Sequence, residues 1–467
     1  MENLSERQVI RIWQHQLLSK TRLETENGEP LEIVYPGRVN DDQGADFQDA
    51  VISVGGRLVR GDIEVHVKCS DWWAHQHHQN PAYNRVVLHV VMWNNSQEDT
   101  RLQNGRSIPV LALHKYVEIP DSHQPDLEPY QIASNLPCFK VSDYLSMESM
   151  AVVFDRAGEE RFLTKAAGFQ GDLDKVGAGQ CLYRGIMRAL GYSKNKLPCL
   201  ELASKVPLKM LESIAGSGIS DGECLARQQA LLLGTAGLLP SQCQNGYYVV
   251  ESDNPWIVEL ERLWNSSRWT QQMSPGTWNL CKVRPNNSPI RRLVAMSYLI
   301  LRYRERGIFK ELINMVNEVP IHQVSHRLEK GLVVTSDGYG ADHSAFDCWN
   351  RIGGHTLLGN GRAADIIVNV LLPFTFTWGR YGFKPELEKK ALELYRCYPR
   401  LATNAVERHM RHQLGINSRV VNSAQRQQGL LHIYNTLCTQ GRCGVCPLGQ
   451  PEAGNHVQVH AVNPAVL

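Results

Sequence analysis

The segment Gly61-Asp62-Ile63-Glu64-Val65-His66-Val67-Lys68 constrains the fold of this chain more than any other. Strand side chains alternate between faces, so Ile63, Val65 and Val67 point one way and Asp62, Glu64, His66 and Lys68 the other. The apolar face requires a core to pack against. The other face, with its ionisable groups, must be solvated, internally paired or bound to a metal, because burying unpaired charge is expensive. Upstream, Phe47 to Val54 reads as a strand, Gly55-Gly56 as a tight hairpin turn, and Leu58 to Val67 as the partner strand.

The register of that hairpin decides what the polar face can do. A strict two-residue turn places Asp46 opposite Val65, on the apolar side. A one-residue bulge or a three-residue loop moves Asp46 to the Glu64 side, because the pleat has period two. With that irregularity, Asp46 and Glu64 converge on one hard divalent cation, magnesium or manganese, with the Val65 carbonyl as a further ligand. His66 or Lys68 would position water or offset developing charge. The alternative is an edge strand with an ordinary wet face.

The surrounding pattern extends this hairpin into a mixed α/β domain over residues 1–118. Val9, Ile12, Trp13 and Leu17 share a helical face after the N-cap candidate Ser5, giving a helix over 5–18. Leu31 to Tyr35 is a short strand, Asn80-Pro81 opens a short helix, and Arg85 to Trp93 and Ile108 to Tyr116 are further strands. Residues 119–140 are proline-dotted and polar, a linker, and 141–437 are mainly helical in spacing. In that region the helix after Ser288-Pro289 has an apolar stripe and carries Arg291, Arg292, Arg302, Arg304 and Arg306 on its other faces. A basic face of this kind is either plain solvated surface or a contact for phosphate backbone.

This order of elements resembles the PD-(D/E)XK nuclease superfamily, whose core is αβββαβ, a restriction-endonuclease-like fold. Gly44-Ala45-Asp46-Phe47 stands for the first half of its motif and Glu64-Val65-His66 for the second. Ala45 replaces the usual proline, and His66 stands where the lysine belongs, with Lys68 two residues on along the same face. The whole chain also resembles an uncharacterised bacterial family, domain-of-unknown-function family 2851. The residues that carry this likeness include Tyr35-Pro36-Gly37-Arg38, Gly61 to His66, Ser70-Asp71-Trp72 and Leu88-His89-Val90-Val91.

The nuclease resemblance implies that the stretch after the Glu-x-Lys strand contacts phosphate or orders the metal shell, a role for which His75, His78 and Tyr83 are candidates. The run from Asp71 to His78, with His89 beyond it, offers instead a direct zinc site or packed surface histidines. Cys438-x4-Cys443-x2-Cys446, at the head of a tail over 438–467, has the spacing of a thiolate metal knuckle for zinc or an iron–sulfur cluster. Its fourth ligand must come from elsewhere: His432, Cys397 and Cys138 upstream, or His456 and His460 downstream. The other nine of the 12 cysteines read as reduced, buried thiols.

The net charge of +2 advertises no global affinity for nucleic acid or membrane. The longest apolar stretch, Ile366 to Trp378, is broken by Asn369 and Pro373, short of the roughly 18–20 residues of a membrane span. A charged N-terminus without a signal-peptide core points to the cytoplasm. The expectation is a divalent-metal-dependent nuclease acting on DNA or RNA, with Arg291 and Arg292 on the substrate. An inactive nucleic-acid-binding or scaffold protein, and a zinc hydrolase of small phosphoesters built on His75 to His89, are the alternatives.

Overall fold

Helix α1 (Glu6–His15) begins at Ser5, whose backbone N–H donates to Gln8 Oε1 at 2.8 Å, and buries Val9, Ile12 and Trp13. It opens a computed structural model that describes residues 4–18, 22–117, 136–242, 254–267, 271–280, 287–335 and 356–449. The expected linker as far as residue 135 lies outside these residues, as do Lys282, Arg284, His456 and His460.

After α1 come β1 (Leu23–Glu24), β2 (Pro30–Tyr35), β3 (Arg38–Val39), β4 (Phe47–Val54) and β5 (Arg57–Lys68). A one-turn helix α2 (Asp71–Ala74) and two 3-10 turns, His77–Gln79 and Pro81–Tyr83, cross over to β6 (Val86–Trp93), and β7 (Val110–Ala112) closes the series. The strands form one seven-stranded mixed sheet in the order β1-β2-β4-β5-β6-β7, with β3 beside β4. β4 runs antiparallel to both of its neighbours, β2 and β5, whereas β5, β6 and β7 run parallel. Pro81 opens only the second 3-10 turn, capped by the Asn80 side chain on Ala82 N at 3.0 Å, so the helix expected there is a single turn. Gly61 is required where β5 meets the start of β6. A Cβ there would stand 2.3 Å from the Arg85 carbonyl oxygen.

One face of this sheet packs on α1. Val9, Ile12 and Trp13 share a core with Phe47, Ile52, Ile63, Val65, Leu88, Val90 and Met92. The Trp13 indole N–H donates to the Pro36 carbonyl at 3.1 Å. The other face of β2 and β4 is covered from far along the chain: Tyr35 and Val51 share a core with Met150, Phe154, Met410, Leu414, Ile433 and Tyr434. The chain accordingly divides into two units. One gathers Met1–Gly158, Thr403–Asn422 and Arg426–Leu467, and the other comprises Glu159–Ala402 with Ser423–Gln425. Texture along the sequence put a helical block at 141–437 because local periodicity does not report which core a helix returns to.

The second unit is mostly helical, built on an extensive apolar core that includes Tyr183, Leu232, Met296, Leu299, Phe374 and Tyr395. Its helix Pro289–Arg302 is buried from Pro289 to Leu301, and here the expectation of a basic outer face is corrected for Arg291 and Arg292, whereas Arg302, Arg304 and Arg306 are exposed. Arg291 and Arg292 are only 4% and 5% exposed. Arg291 Nη2 donates to the Thr356 carbonyl at 2.7 Å, and Arg292 donates to the Leu357 carbonyl and, at 2.7 Å, to the Tyr192 hydroxyl. These guanidinium groups satisfy the backbone of the strand Thr356–Leu358 from within and offer nothing to a phosphate chain. Among the described residues no helix is long and apolar enough to cross a membrane.

Candidate metal centre

The hairpin carries the irregularity that the sequence requires. The turn pairs Val54 with Arg57 and keeps strict register to Ala50 opposite Gly61, but Phe47 then pairs with Ile63. Gln48 and Asp49 therefore oppose Asp62 alone, a one-residue bulge that turns Asp46 to the Glu64 face. Asp49 sits at φ +61, in the left-handed region that aspartate tolerates better than most side chains. It is tied on three sides: its N–H donates to Asp62 Oδ1 at 3.2 Å, and its carboxylate accepts from Arg85 at 3.2 Å and from the Tyr434 hydroxyl at 3.0 Å.

Downstream of the bulge, Asp46 and Glu64 interlock. Asp46 N donates to Glu64 Oε2 at 3.1 Å, and Val65 N donates to Asp46 Oδ2 at 3.0 Å. Glu64 is nearly buried and its other oxygen faces imidazoles, with His77 Nε2 at 3.1 Å and His66 Nε2 at 3.5 Å. His66 Nε2 also lies 3.2 Å from His75 Nδ1 and 3.3 Å from His77 Nε2. One donor nitrogen from each of His66, His75 and His77 lies within 4.8 Å of the other two. His66 and His77 are buried, and His75 is exposed at the mouth.

A second layer orients the first. His66 Nδ1 lies 2.9 Å from His89 Nε2, and His89 Nδ1 lies 3.2 Å from Thr100 Oγ1. The chain is consistent if each Nδ1 carries its proton, so that His66 donates to His89 and His89 to the threonine, leaving His66 Nε2 with its lone pair toward Glu64. Trp72 packs against His77 and His89, and Tyr83 stacks on His77 with ring centres 3.9 Å apart.

The electrostatics are those of a buried cluster of acids and imidazoles. Burial, reinforced by Glu64, raises the Asp46 carboxyl to about 7; burial raises Glu64 to about 8 despite the Asp46 amide. Burial pushes His66 down to about 2 and His89 to about 3. The close Glu64–His66 and Glu64–His77 contacts are therefore not ion pairs at neutral pH. Burial holds the acid protonated and the bases neutral, and a divalent ion would reverse the first without opposing the second.

Three imidazole nitrogens and a carboxylate oxygen suit zinc or manganese, whereas magnesium prefers an all-oxygen shell. The expected pairing of Asp46 with Glu64 is thus joined by a histidine set that the strand pattern alone did not assemble. His77 is the residue the sequence reading left out of the site. Its signal was its place two residues from His75 in a histidine-rich turn, but which of these rings turns inward depends on the crossover. Glu6, in the first turn of α1, was also missed, and its charge acts on Asp46, Glu64 and Tyr83. Lys68 is exposed at the end of β5, its N–H donating to Asp71 Oδ2 at 2.9 Å. His78 does not join the other rings: it packs on Trp73 with ring centres 4.5 Å apart and lies 3.0 Å from Gln79 Nε2.

A family model described as "Protein of unknown function (DUF2851)" matches residues 6–402. No curated protein and no solved structure matches the chain.

Proposed function

This chain belongs to the DUF2851 family, so its chemistry must be read from its own residues, and we propose that it is a metal-dependent phosphodiesterase acting on nucleic acid. The observation that carries the reading is the bulge that brings Asp46 and Glu64 together on the face that also holds His66, His75 and His77. The order α1, β2, β4, β5, crossover, β6, with acidic groups on β4 and β5, is similar to the restriction-endonuclease-like core of the PD-(D/E)XK nucleases, which is an argument by analogy. A divalent ion held by Glu64 and the imidazoles would polarise a phosphoryl oxygen and acidify water.

The residues divide the remaining work. His66, fixed by His89 and Thr100, keeps its Nε2 aimed at the site. Asp46, interlocked with Glu64 through the Asp46 and Val65 amides, is placed to accept the proton of the attacking water. His75 stands at the entrance, where a phosphate group approaching from solvent arrives first. Lys68, exposed on the same strand face, supplies positive charge on that approach. Arg291 and Arg292 have no part in it.

The imidazole set also favours a second reading, a zinc hydrolase of small phosphoesters. The two separate on substrate. Plasmid DNA, single-stranded DNA and RNA, bis(p-nitrophenyl) phosphate and p-nitrophenyl phosphate are offered with manganese or zinc to the wild type, Asp46→Asn, Glu64→Gln and His66→Ala. Cleavage of the diesters with loss of at least about 100-fold in each variant supports the nuclease reading. Cleavage of the monoester alone supports the second. Indifference of all variants, or no turnover with either metal, refutes both and leaves a scaffold.

A further inference from the structure

The sequence left the fourth partner of Cys438, Cys443 and Cys446 open among five residues, and the fold narrows the choice. The 3-10 turns Cys438–Gln440 and Cys443–Val445 follow the helix Ala424–Thr436, and the chain then turns back so that Gly449 N bonds to the Cys446 carbonyl at 3.0 Å. Gly449 lies between this loop and Pro137, so closely that a Cβ on it would stand 3.2 Å from the Pro137 Cβ and 3.3 Å from the Cys443 carbonyl oxygen. The Tyr144 hydroxyl is within 2.7 Å of the Pro137 carbonyl and 3.2 Å of the Leu448 carbonyl, bracing the two segments together. Cys138, next in the chain after Pro137, shares a core with Cys438 and Cys446.

We infer that Cys138, Cys438, Cys443 and Cys446 form a four-thiolate metal centre, structural in role, that ties the segment before Val141 to the end of the chain. Its four thiols are free, and three of them are buried. Cys438 is close to the other three thiols, and Cys138 is also close to Cys443 and Cys446. Thiolates so placed persist only with a cation, and each thiol loses its proton to solvent as the metal binds. Hydrogen-bond donors already attend the sulfurs. Gln413 Nε2 lies 3.2 Å from Cys138 Sγ, and the amides of Leu448 and Gly449 bond to Cys446. Such donors stabilise metal-bound thiolate.

The fold favours Cys138 over Cys397, which is exposed and belongs to the helical unit. His456 and His460 lie outside the described residues. Sulfur spacing bears on the metal. A tetrahedral zinc with bonds of about 2.3 Å would hold its sulfurs about 3.8 Å apart. Among the described residues the set gathered within 4.8 Å is the histidine one, so the thiols are spread more widely, with room for an iron–sulfur cluster as well as for a single ion that draws them in.

The full chain, purified without oxygen, is reconstituted in one arm with cobalt(II) as a zinc surrogate and in the other with iron and sulfide. Thiolate-to-cobalt charge-transfer absorption in the near ultraviolet identifies a single-ion site, and broad visible absorption with acid-labile sulfide identifies a cluster. Imidazole gives neither signal, so the histidine centre does not interfere. Cys138→Ser and Cys443→Ser should each lose more than half of it, and Cys397→Ser should keep it whole. Because a variant may fail to fold, the wild type is also alkylated with and without chelator: the four thiols should become reactive together when metal is withdrawn. Absence of a thiolate signal in both arms overturns the inference, as does a Cys138→Ser protein with undiminished signal.

Discussion

The raised carboxyls predict that metal affinity at the proposed centre is steeply pH-dependent, and the slope follows from the site. Both must lose their protons before a cation binds. With Glu64 at about 8 and Asp46 at about 7, proton competition at pH 6.5 weakens binding by about 33-fold and about 4-fold. At pH 8 the same competition costs only about 2-fold and about 1.1-fold. Manganese should therefore bind about 60-fold more tightly at pH 8 than at pH 6.5, and calorimetry in buffers of different ionisation enthalpy should find more protons released at the lower pH. His66 and His89 add nothing across this window, since burial keeps both neutral.

Without metal the sign reverses. A carboxyl whose folded pKa is raised contributes stability at low pH that is lost as pH climbs toward its folded value, so the melting temperature should fall between pH 6.5 and 8. Added manganese should restore more at pH 8 than at pH 6.5. A metal affinity that changes by less than about 3-fold over the window would show that the two carboxyls titrate as ordinary acids, and the buried-cation reasoning would fail.

Three further expectations follow from other parts of the structure. Deleting Asp49 removes the extra residue of the bulge but leaves Phe47 opposite Ile63 and Asp46 opposite Glu64, so manganese affinity should stay within about 10-fold of the wild type while circular dichroism still reports a folded sheet; a loss of more than about 100-fold would refute the register argument. Arg292→Ala should lower unfolding free energy by about 3 kcal/mol, because it strips buried charged hydrogen bonds, and should leave nucleic-acid binding per folded molecule unchanged. Weaker binding without loss of stability would return this residue to the substrate. Gly61→Ala should destabilise by at least about 3 kcal/mol, read in urea denaturation, since its methyl group meets the Arg85 carbonyl; a neutral effect would mean that β6 can shift away.

What the sequence disclosed depended on how local the cause was. Helix α1, the Gly55-Gly56 hairpin and the alternation of β5 are written in periods of 3.6 and 2, and the structure has them. That a meeting of Asp46 with Glu64 needs a bulge or a longer loop was legible from parity, but whether the chain has one, and where, was not, because Asp49 is held by Tyr434 and Arg85, neither of which is near it in sequence. The inward turn of His66 and His77 and the outward turn of His78 depend on the crossover packing over β5 and β6, which no period encodes. The arginines of helix Pro289–Arg302 misled for a related reason. An amphipathic stripe tells which face is apolar, not whether the remainder meets water, and at Arg291 and Arg292 it meets the strand Thr356–Leu358.

The Tyr434 hydroxyl reaches Asp49 across 385 residues of sequence. A ribosome therefore adds 385 more residues before the β4 kink receives this anchor, and until then Tyr35 and Val51 await the partners that will cover them. A recombinant fragment cut to the family match, ending at residue 402, would leave that surface bare and invite aggregation. Attempts to isolate the sheet-bearing unit should keep residues 403–449 with it and excise, if anything, the helical unit between.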